Sequence, residues 1–333
     1  MLLRRHLIAA AALAACPAAA AADRFEPSTS VKIARGFWEI NGKRVNAGAY
    51  AAGLLLNVRM VNATFEDRNP ETSPKGFDPE KNTDAFIAKV PEYVAHGANA
   101  FTLSFQGGHS GYEKPLNSGY DPDGSLRSPY AARMSRAIEA CDKAGAAVIL
   151  SCFYQRQDQV LKDAGAVEKA ARNTARWVKE KGYTNVILEI ANEHPHDGFD
   201  HEVIRAPAGI VKLIRAAREE HPGLLISASG MGNGRLDHDI QSAADFILIH
   251  FNGTPVSEIQ DRVATARKIS KAIVCNEDAK TGEEGAKALQ AAADALCSWG
   301  YMNEKHNQHY PFHFDGAADD PVVWKKMKEL AGR

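Results

Sequence analysis

The chain alternates between helical patterns and short apolar runs, and this alternation limits its fold more than any other feature. The apolar runs are centred near residues 58, 102, 150, 188, 226, 248, 273 and 299, and each is followed by a helical pattern or a long loop. Strands that alternate with helices pair in parallel through right-handed crossovers. Eight such units predict an α/β fold of the (β/α)8 or TIM barrel type, with its active face at the C-terminal ends of the strands.

An open doubly wound sheet is the alternative architecture for the same alternation. That fold usually carries a glycine-rich phosphate loop after its first strand, and none is evident here. Ahead of the barrel, Asn41-Gly42 within residues 37–45 predicts a short hairpin that closes the bottom of the barrel. The first barrel strand lies within residues 54–65 or slightly earlier, within 45–50, and the pattern leaves both open.

Residues 1–22 have the composition of an export signal. Arg4 and Arg5 precede an apolar run, and an alanine-rich stretch ends before Asp23. The apolar run is too short to remain as a membrane anchor. We therefore expect an exported protein, whether periplasmic, secreted or an outer-membrane lipoprotein.

Two processing routes stay open for this signal. Cleavage can follow an Ala-x-Ala site near Ala22, or residues 13–16 can act as a lipobox in which Cys16 becomes the lipidated first residue. The membrane would then be a partner only through a lipid anchor at Cys16. The remaining residues, 23–333, are expected to form a single barrel domain.

Composition excludes several classes of partner. A hydrophobic content of 45% and a charged content of 24% are typical of a globular protein with a full core. A net charge of −1 gives no reason to expect nucleic acid or an anionic membrane surface as partner. The four cysteines after the signal lack the dense spacing of a disulfide scaffold and are expected to be buried free thiols, namely Cys141, Cys152, Cys275 and Cys297.

Two glutamates follow opposite strands of the predicted barrel. Residues 185–194 form an apolar strand that ends in Asn192-Glu193, and the seventh strand ends in Asn276-Glu277. A carboxylate at a strand mouth is partly desolvated, which raises its pKa and suits it to proton donation. Two carboxylates about 5 Å apart across a barrel mouth would form the pair of a retaining glycosidase.

These features resemble clan A of the glycoside hydrolases, which are barrel enzymes with an acid/base glutamate after strand four and a nucleophilic glutamate after strand seven. The resemblance extends from about residue 45 to the C-terminus. It rests on Asn192-Glu193, on Asn276-Glu277, on His250 at the end of strand six and on Trp299 in strand eight. Cellulase-like bacterial barrel proteins are the most similar group.

The resemblance implies a role for each matching residue. Glu193 would be the general acid/base, Glu277 the nucleophile, and Asn192 the partner of the sugar 2-hydroxyl. His250 would bond the nucleophile or the substrate, and Trp299 would form the floor of a sugar subsite. The substrate would be a β-linked polysaccharide or oligosaccharide outside the cytoplasm, and neither a cofactor nor a metal would be needed. Three further strand-end residues are expected to contact substrate, namely Gln106, Tyr154 and Asn276.

One departure from the clan stands out. Many members place an arginine at the end of strand two, where it keeps the nucleophile ionised, and here Phe105-Gln106 occupies that position. Arg59 or Arg156 could replace it, and the sequence does not choose between them. Glu189, inside the fourth strand, is expected to be paired within the barrel rather than catalytic.

Two other functions remain open. A metal-dependent isomerase or hydrolase on the same barrel would use Glu193, Glu277, His250 and Asp278 as ligands, and a chelator would abolish its activity. A non-catalytic carbohydrate-binding barrel would bind glycans without turnover. The histidines that follow strands four and eight are expected to make loop and substrate contacts instead of holding a metal, because they include no helical His-x-x-x-His pair.

Overall fold

The structure is a computed structural model that describes residues 25–333. The predicted export signal, residues 1–22, and the lipidation candidate Cys16 lie outside the described residues. Processing and lipidation of the N-terminus therefore remain predictions.

A small antiparallel sheet precedes the barrel. It contains β1 (Val31–Ala34), β2 (Phe37–Ile40) and β3 (Lys43–Arg44). Asn41 and Gly42 connect β2 to β3 with φ angles of 52° and 72°, the left-handed pair that a type I′ turn requires. The predicted hairpin is confirmed, and β1 adds a third strand to it.

Eight parallel strands follow the small sheet, and they form a closed ring. Hydrogen bonds order six of them as β11-β4-β5-β6-β7-β8, and β9 pairs with β10. Parallel bridges from Ser229 to Leu248 and from Val274 to Ser298 join the two groups at both ends. The predicted (β/α)8 barrel is therefore confirmed. Its strands are β4 (Leu56–Arg59), β5 (Ala100–Ser104), β6 (Ala147–Phe153), β7 (Val186–Ala191), β8 (Ile226–Ser227), β9 (Ile247–His250), β10 (Ile273–Glu277) and β11 (Trp299–Tyr301).

Helices cover the outside of the ring. The pattern within residues 204–221 predicts one helix, but Pro207 disfavours helical backbone at the preceding residue and splits it in two. A bilayer crossing needs a helix of about 20 apolar residues, and none formed by residues 25–333 meets that requirement. The helices are α1 (Pro79–Ala95), α2 (Ser128–Lys143), α3 (Ala164–Lys181), α4 (Glu202–Arg205), α5 (Pro207–Glu220), α6 (His238–Ala243), α7 (Ile259–Arg267), α8 (Gly282–Asp294) and α9 (Pro321–Ala331).

The lower end of the barrel interior is apolar and is closed by the small sheet. Trp38 of β2 is buried there, and its ring lies 5.5 Å from the ring of Phe246 in an edge-to-face arrangement. Leu55, Ile149 and Ile187, which come from the beginnings of barrel strands or just before them, belong to the same apolar cluster. The hairpin therefore acts as the plug that its position in the sequence predicts.

Above this plug the interior becomes polar. Thr102 bonds the side chain of Asn57, and Asn276 donates to Glu189 Oε2 at 3.2 Å. Side chains alternate along a strand, so polar residues at every second position line the same interior layer. This polar layer supports the residues at the barrel mouth. Its members are Asn57, Thr102, Ser151, Glu189, Ser227 and Asn276, and all of them are buried.

Candidate active site

Glu193 and Glu277 meet at the mouth of the barrel with His250 between them. Each of the three contributes one side-chain atom to a cluster in which all atoms lie within 4.8 Å of one another. His250 Nδ1 is 3.2 Å from Glu193 Oε1 and 3.6 Å from Glu277 Oε2. The two glutamates predicted to follow opposite strands are therefore brought together.

A β-bulge turns Glu277 towards this cluster. The register between β10 and β9 shifts between Cys275 and Glu277, so that Glu277 pairs with His250. Cys275 points into the core outside the barrel, while Asn276 points inside it and bonds Glu189. Because the shift adds a residue to β10, the side chains of Asn276 and Glu277 can both turn towards the barrel axis.

The backbone of Glu193 is in the left-handed region, with φ of 51°. For a residue with a side chain this conformation costs roughly 1–3 kcal/mol and persists where surrounding contacts impose it. The contact here is Ser229, whose Oγ accepts the Glu193 N–H at 2.9 Å and donates to Glu189 Oε1 at 2.6 Å. Glu189 is thus paired inside the barrel, as predicted, and it helps to fix Glu193.

Arg59 supplies the cation that the sequence left unassigned. It is the last residue of β4, only 1% exposed, and its Nη2 lies 3.0 Å from Glu277 Oε2. The same nitrogen donates to Asn192 Oδ1 at 3.0 Å, and Nε donates to Gln308 at 3.3 Å. Arg156, the other candidate, is half exposed and bonds Glu113. Of the two candidate arginines, Arg59 is therefore the one in contact with Glu277.

Asn252 is a site residue that sequence reasoning missed. Its Nδ2 donates to Glu277 Oε1 at 2.7 Å, so Asn252 and Arg59 hold different oxygens of one carboxylate. The sequence signal that could have identified it is its position two residues after His250, because side chains two residues apart on a strand face the same side of the sheet. A single amide in a loop was not enough to identify it.

Opposing effects set the charges of the cluster. Burial alone would raise the pKa of Glu193, but the hydrogen bond and charge of His250, together with Arg59, outweigh it and lower the pKa. Burial lowers the pKa of His250, yet the nearby Glu277 and Glu193 carboxylates raise it overall. Burial raises the pKa of Glu189. The rise in pKa that its strand-mouth position predicts for Glu193 is therefore not found, and the two shifts favour a Glu193 carboxylate beside a protonated His250.

Two predicted substrate contacts lie beside the cluster. Asn192 is directly under Arg59, and its Nδ2 lies 3.5 Å from Gln155 Oε1. Tyr154 lines a neighbouring cavity, and its pKa is raised mainly by burial and also by the charge of Glu277. Tyr154 can therefore contact a molecule in the cavity, whereas Asn192 is only 1% exposed and is not part of the cavity lining.

Three other predicted contacts are not in the cleft. Trp299 is 0% exposed and faces the outer core, because its neighbour Gly300 takes the inward position against Asn57. The prediction that Trp299 forms a sugar floor is therefore wrong. Asn276 is fully buried beneath the cluster on Glu189. Gln106 is fully buried as well, and its side chain joins two loops by bonding Gln157 O and Tyr154 N.

The ligand set expected for a metal enzyme is incomplete. Asp278 is fully buried away from the cluster, where it accepts from Lys280 Nζ and from the Trp299 indole at 2.9 Å each. Within residues 25–333 the loop histidines form no group of three with other ligand types. The remaining trio of Glu193, His250 and Glu277 has the Arg59 guanidinium in direct contact, and this fixed positive charge opposes a divalent cation at the same place.

A cavity of about 820 Å³ lies beside the carboxylates, between the loops that follow β4, β5, β6 and β7. Tyr154 and His196 line it, and both interact electrostatically with the cluster through Glu277 and Glu193 respectively. Its volume is in the range of small-molecule sites. The carboxylates therefore lie beside a binding space that loops shape above a rigid barrel.

No protein-family model matches this sequence, and no curated protein is significantly similar to it. Solved structures are similar in fold. An exo-β-1,4-mannosidase from Opitutaceae bacterium strain TAV5 has a TM-score of 0.59 at 14% identity, covering 90% of this chain and 61% of the mannosidase. The chain thus spans less than two thirds of that protein.

Two other solved structures are matched over nearly their whole length. A β-mannanase from the blue mussel Mytilus edulis has a TM-score of 0.59 at 12% identity, covering 92% of this chain and 97% of its own. A GH5-4 broad-specificity endoglucanase from Clostridium longisporum has a TM-score of 0.59 at 10% identity, and the match covers 87% of this chain and 100% of the endoglucanase. At such identities the likeness shows the barrel fold, which agrees with the closed ring of strands.

Proposed function

We propose that the protein is a retaining glycoside hydrolase that acts on β-linked polysaccharides or oligosaccharides. The observation that carries the proposal is the spacing of Glu193 and Glu277, whose nearest ligand atoms lie within 4.8 Å. Retaining enzymes place their carboxyl groups about 5–5.5 Å apart, whereas inverting enzymes leave about 6.5–9.5 Å for a water. Similar structures named as a mannosidase, a mannanase and an endoglucanase support the same reaction class.

Glu277 is the proposed nucleophile. Its carboxylate attacks the anomeric carbon, a C–O bond to Glu277 forms, and the glycosidic C–O bond breaks. Arg59 and Asn252 hold its two oxygens in place for this attack. Asn192, with Oδ1 fixed by Arg59, is the proposed partner of the sugar 2-hydroxyl.

Glu193 is the proposed acid/base, with His250 as the store of its proton. Nδ1 of the imidazolium lies 3.2 Å from Glu193 Oε1, so the proton can cross one hydrogen bond. When Glu277 becomes an ester, the carboxylate charge beside His250 disappears and the pKa of His250 falls. The proton therefore moves through Glu193 to the leaving oxygen as that charge is lost. Water then attacks the anomeric carbon and gives a proton to Glu193, from which it returns to His250. The bond from the water oxygen to that carbon forms as the ester bond to Glu277 breaks, which restores the Glu277 carboxylate.

The place of action is part of the proposal. An export signal over residues 1–22 would carry the enzyme out of the cytoplasm. β-Linked polysaccharides are found outside the cytoplasm, and the enzyme would reach them either as a free protein or anchored through Cys16.

The decisive experiment compares the wild-type protein with Glu277→Gln and Glu193→Gln on a panel of β-linked glycans and aryl glycosides. We expect no turnover by Glu277→Gln and a loss of about 10²–10⁴-fold for Glu193→Gln on glycans. A smaller loss is expected on aryl glycosides, because a good leaving group needs no proton. NMR of the first product should show the β-anomer, and a 2-fluoro glycoside should label Glu277.

An inverted product anomer or labelling of another residue would reject the mechanism. Glycan binding with no turnover on any substrate would favour the non-catalytic barrel. Loss of activity with a chelator, restored by a divalent metal, would favour the metal enzyme.

A further inference from the structure

The cavity beside Glu193 and Glu277 combines cationic and aromatic walls. Arg68, Lys114 and Arg156 line it, and Glu113 is the acidic residue of the same lining. The whole chain carries a net charge of −1, so this local excess of positive charge is a feature of the cavity and not of the surface in general. Tyr154 and Tyr112 line the same space and can contact the apolar faces of sugars.

The charge of Arg68 is poorly compensated by its surroundings. Its Nε lies 3.2 Å from Glu66, but that buried carboxylate is also bonded by Arg127 and by Arg133, the latter at 2.5 Å. Three guanidinium groups therefore contact this carboxylate, although Arg133 also pairs with Glu80 and Arg127 lies 3.9 Å from Asp121. Burial lowers the pKa of Arg68, and the charge of Arg127 lowers it further. An anion in the cavity would relieve this repulsion.

Lys114 and Arg156 are both held at the cavity by an unusual backbone. Their φ angles are 60° and 63°, which side chains with a Cβ rarely adopt. The Arg156 N–H is fixed by Gly198 O at 2.9 Å, and the Lys114 carbonyl accepts from Asn69 Nδ2 at 2.9 Å. Within residues 25–333 no carboxylate lies within ion-pair distance of Lys114. Such backbone strain occurs preferentially at ligand clamps and functional sites.

We infer that the sugars bound in this cavity are negatively charged, so that the substrate is an acidic β-linked glycan bearing carboxylate or sulfate groups. This inference rests on the proposed function, whose active-site carboxylates lie beside the cavity. A neutral glycan would bring no charge to Lys114, which has no ion-pair partner among residues 25–333, and would leave Arg68 and Arg156 with only Glu66 and Glu113 as partners. An acidic glycan places anionic groups against Arg68, Lys114 and Arg156 while its rings contact the tyrosines.

The first test measures binding to the Glu277→Gln protein, so that turnover does not interfere. The probes are a β-1,4-linked glucuronic acid tetrasaccharide, a sulfated β-linked tetrasaccharide and the neutral tetrasaccharides of glucose and mannose. Titration calorimetry at two salt concentrations should show the tightest binding for an acidic probe, weakened by added salt. The acidic probe that binds more tightly identifies carboxylate or sulfate as the group that the cavity recognises. Equal or tighter binding of a neutral probe would overturn the inference.

The second test removes the charges one at a time and together. Lys114→Gln and Arg156→Gln should each weaken binding of the acidic probe about 2–5-fold, as expected for exposed charges, and the double variant about ten-fold. The matched control is Lys181→Gln, which removes an exposed charge from the last turn of α3. Neutral probes should be unaffected. Equal losses for acidic and neutral probes, or for the control, would contradict the inference.

Failure of this inference is distinguishable from failure of the proposed function. Wild-type turnover of neutral glycans with no preference for acidic ones rejects the acidic substrate and leaves the hydrolase intact. Charge-dependent binding of an acidic probe without turnover of any glycan supports the cavity's specificity and rejects the hydrolase.

Discussion

Arg59 Nη2 lies 3.0 Å from Glu277 Oε2 and also donates to Asn192 Oδ1 at 3.0 Å. One buried guanidinium thus connects the ends of the first, fourth and seventh barrel strands. Because it is fixed beside the carboxylate before substrate binds, it stabilises charge at the site without further rearrangement. The properties of Glu277 therefore depend on Arg59, a residue that is distant from it in the sequence but lies at the same end of the barrel.

Replacing Arg59 tests this dependence. Arg59→Gln should lower kcat about 10²–10³-fold, the usual cost of removing a preorganised donor from an active site. Arg59→Lys should recover part of the activity, since it keeps the charge but cannot contact Glu277 and Asn192 in the same fixed geometry. Arg176→Gln, on the exposed surface of α3, serves as the control. An unchanged kcat in a folded Arg59→Gln protein would show that Glu277 does not need this cation.

Asn252 offers a second test of the environment of Glu277, the proposed nucleophile. Asn252→Ala removes the 2.7 Å hydrogen bond to Glu277 Oε1 and should reduce kcat about ten-fold or more. Asn252→Asp places a carboxylate against a carboxylate and should reduce it further at neutral pH, with partial recovery in acid. Steady-state kinetics from pH 4 to pH 8 measure both effects. Identical rates for the two variants would indicate that Asn252 only fills space.

The stability of the protein should depend on pH through His250. Its pKa is raised in the folded state, so its contribution is complete below its ordinary value of 6.5 and disappears as pH rises through the folded pKa. Glu193 has a lowered pKa, so its contribution is lost as pH falls below 4.5. Urea unfolding at pH 6 and pH 9 should show a larger gap between wild type and His250→Gln at pH 6. A gap that does not change with pH would reject the charged pair.

Trp299 and Tyr154 should respond in opposite ways to substitution. Trp299→Phe removes a buried ring edge and the indole bond to Asp278, and we expect the free energy of unfolding to fall by about 1–3 kcal/mol with KM nearly unchanged. Tyr154→Ala changes the cavity wall, so its main effect should be a rise in KM. A large rise in KM for Trp299→Phe would restore its predicted role as a sugar floor.

The plug at the bottom of the barrel should contribute to stability alone. Trp38 is 1% exposed and packs on Phe246 at the end opposite to the carboxylates. Trp38→Ala should lower the free energy of unfolding by about 3–5 kcal/mol, because a large buried ring leaves a cavity. The activity of the fraction that remains folded should be unchanged. A specific loss of kcat would mean that the plug also shapes the site.

Strand-end position was a good guide to the proposed catalytic pair and a poor guide to the residues around it. Glu193, Glu277 and His250 meet as predicted, because parallel barrel strands all open at one end. Trp299 does not face the barrel mouth, because side chains on a strand alternate between the two sides of the sheet and Trp299 occupies the position that faces the outer core. Asn252 was missed because its spacing of two residues from His250 was the only signal, and a single loop amide at that spacing is not distinctive.

The sequence alone determined the alternation of strands and helices, the hairpin with its Asn41-Gly42 turn, and the two strands that carry the glutamates. These follow from local backbone preferences and from hydrophobic periodicity, which neighbouring residues encode. Only the tertiary structure decided that Arg59 holds Glu277 and that a bulge turns Glu277 inward. Such contacts join residues that are distant in the chain, and they arise only when ring closure brings the strand ends within hydrogen-bonding distance.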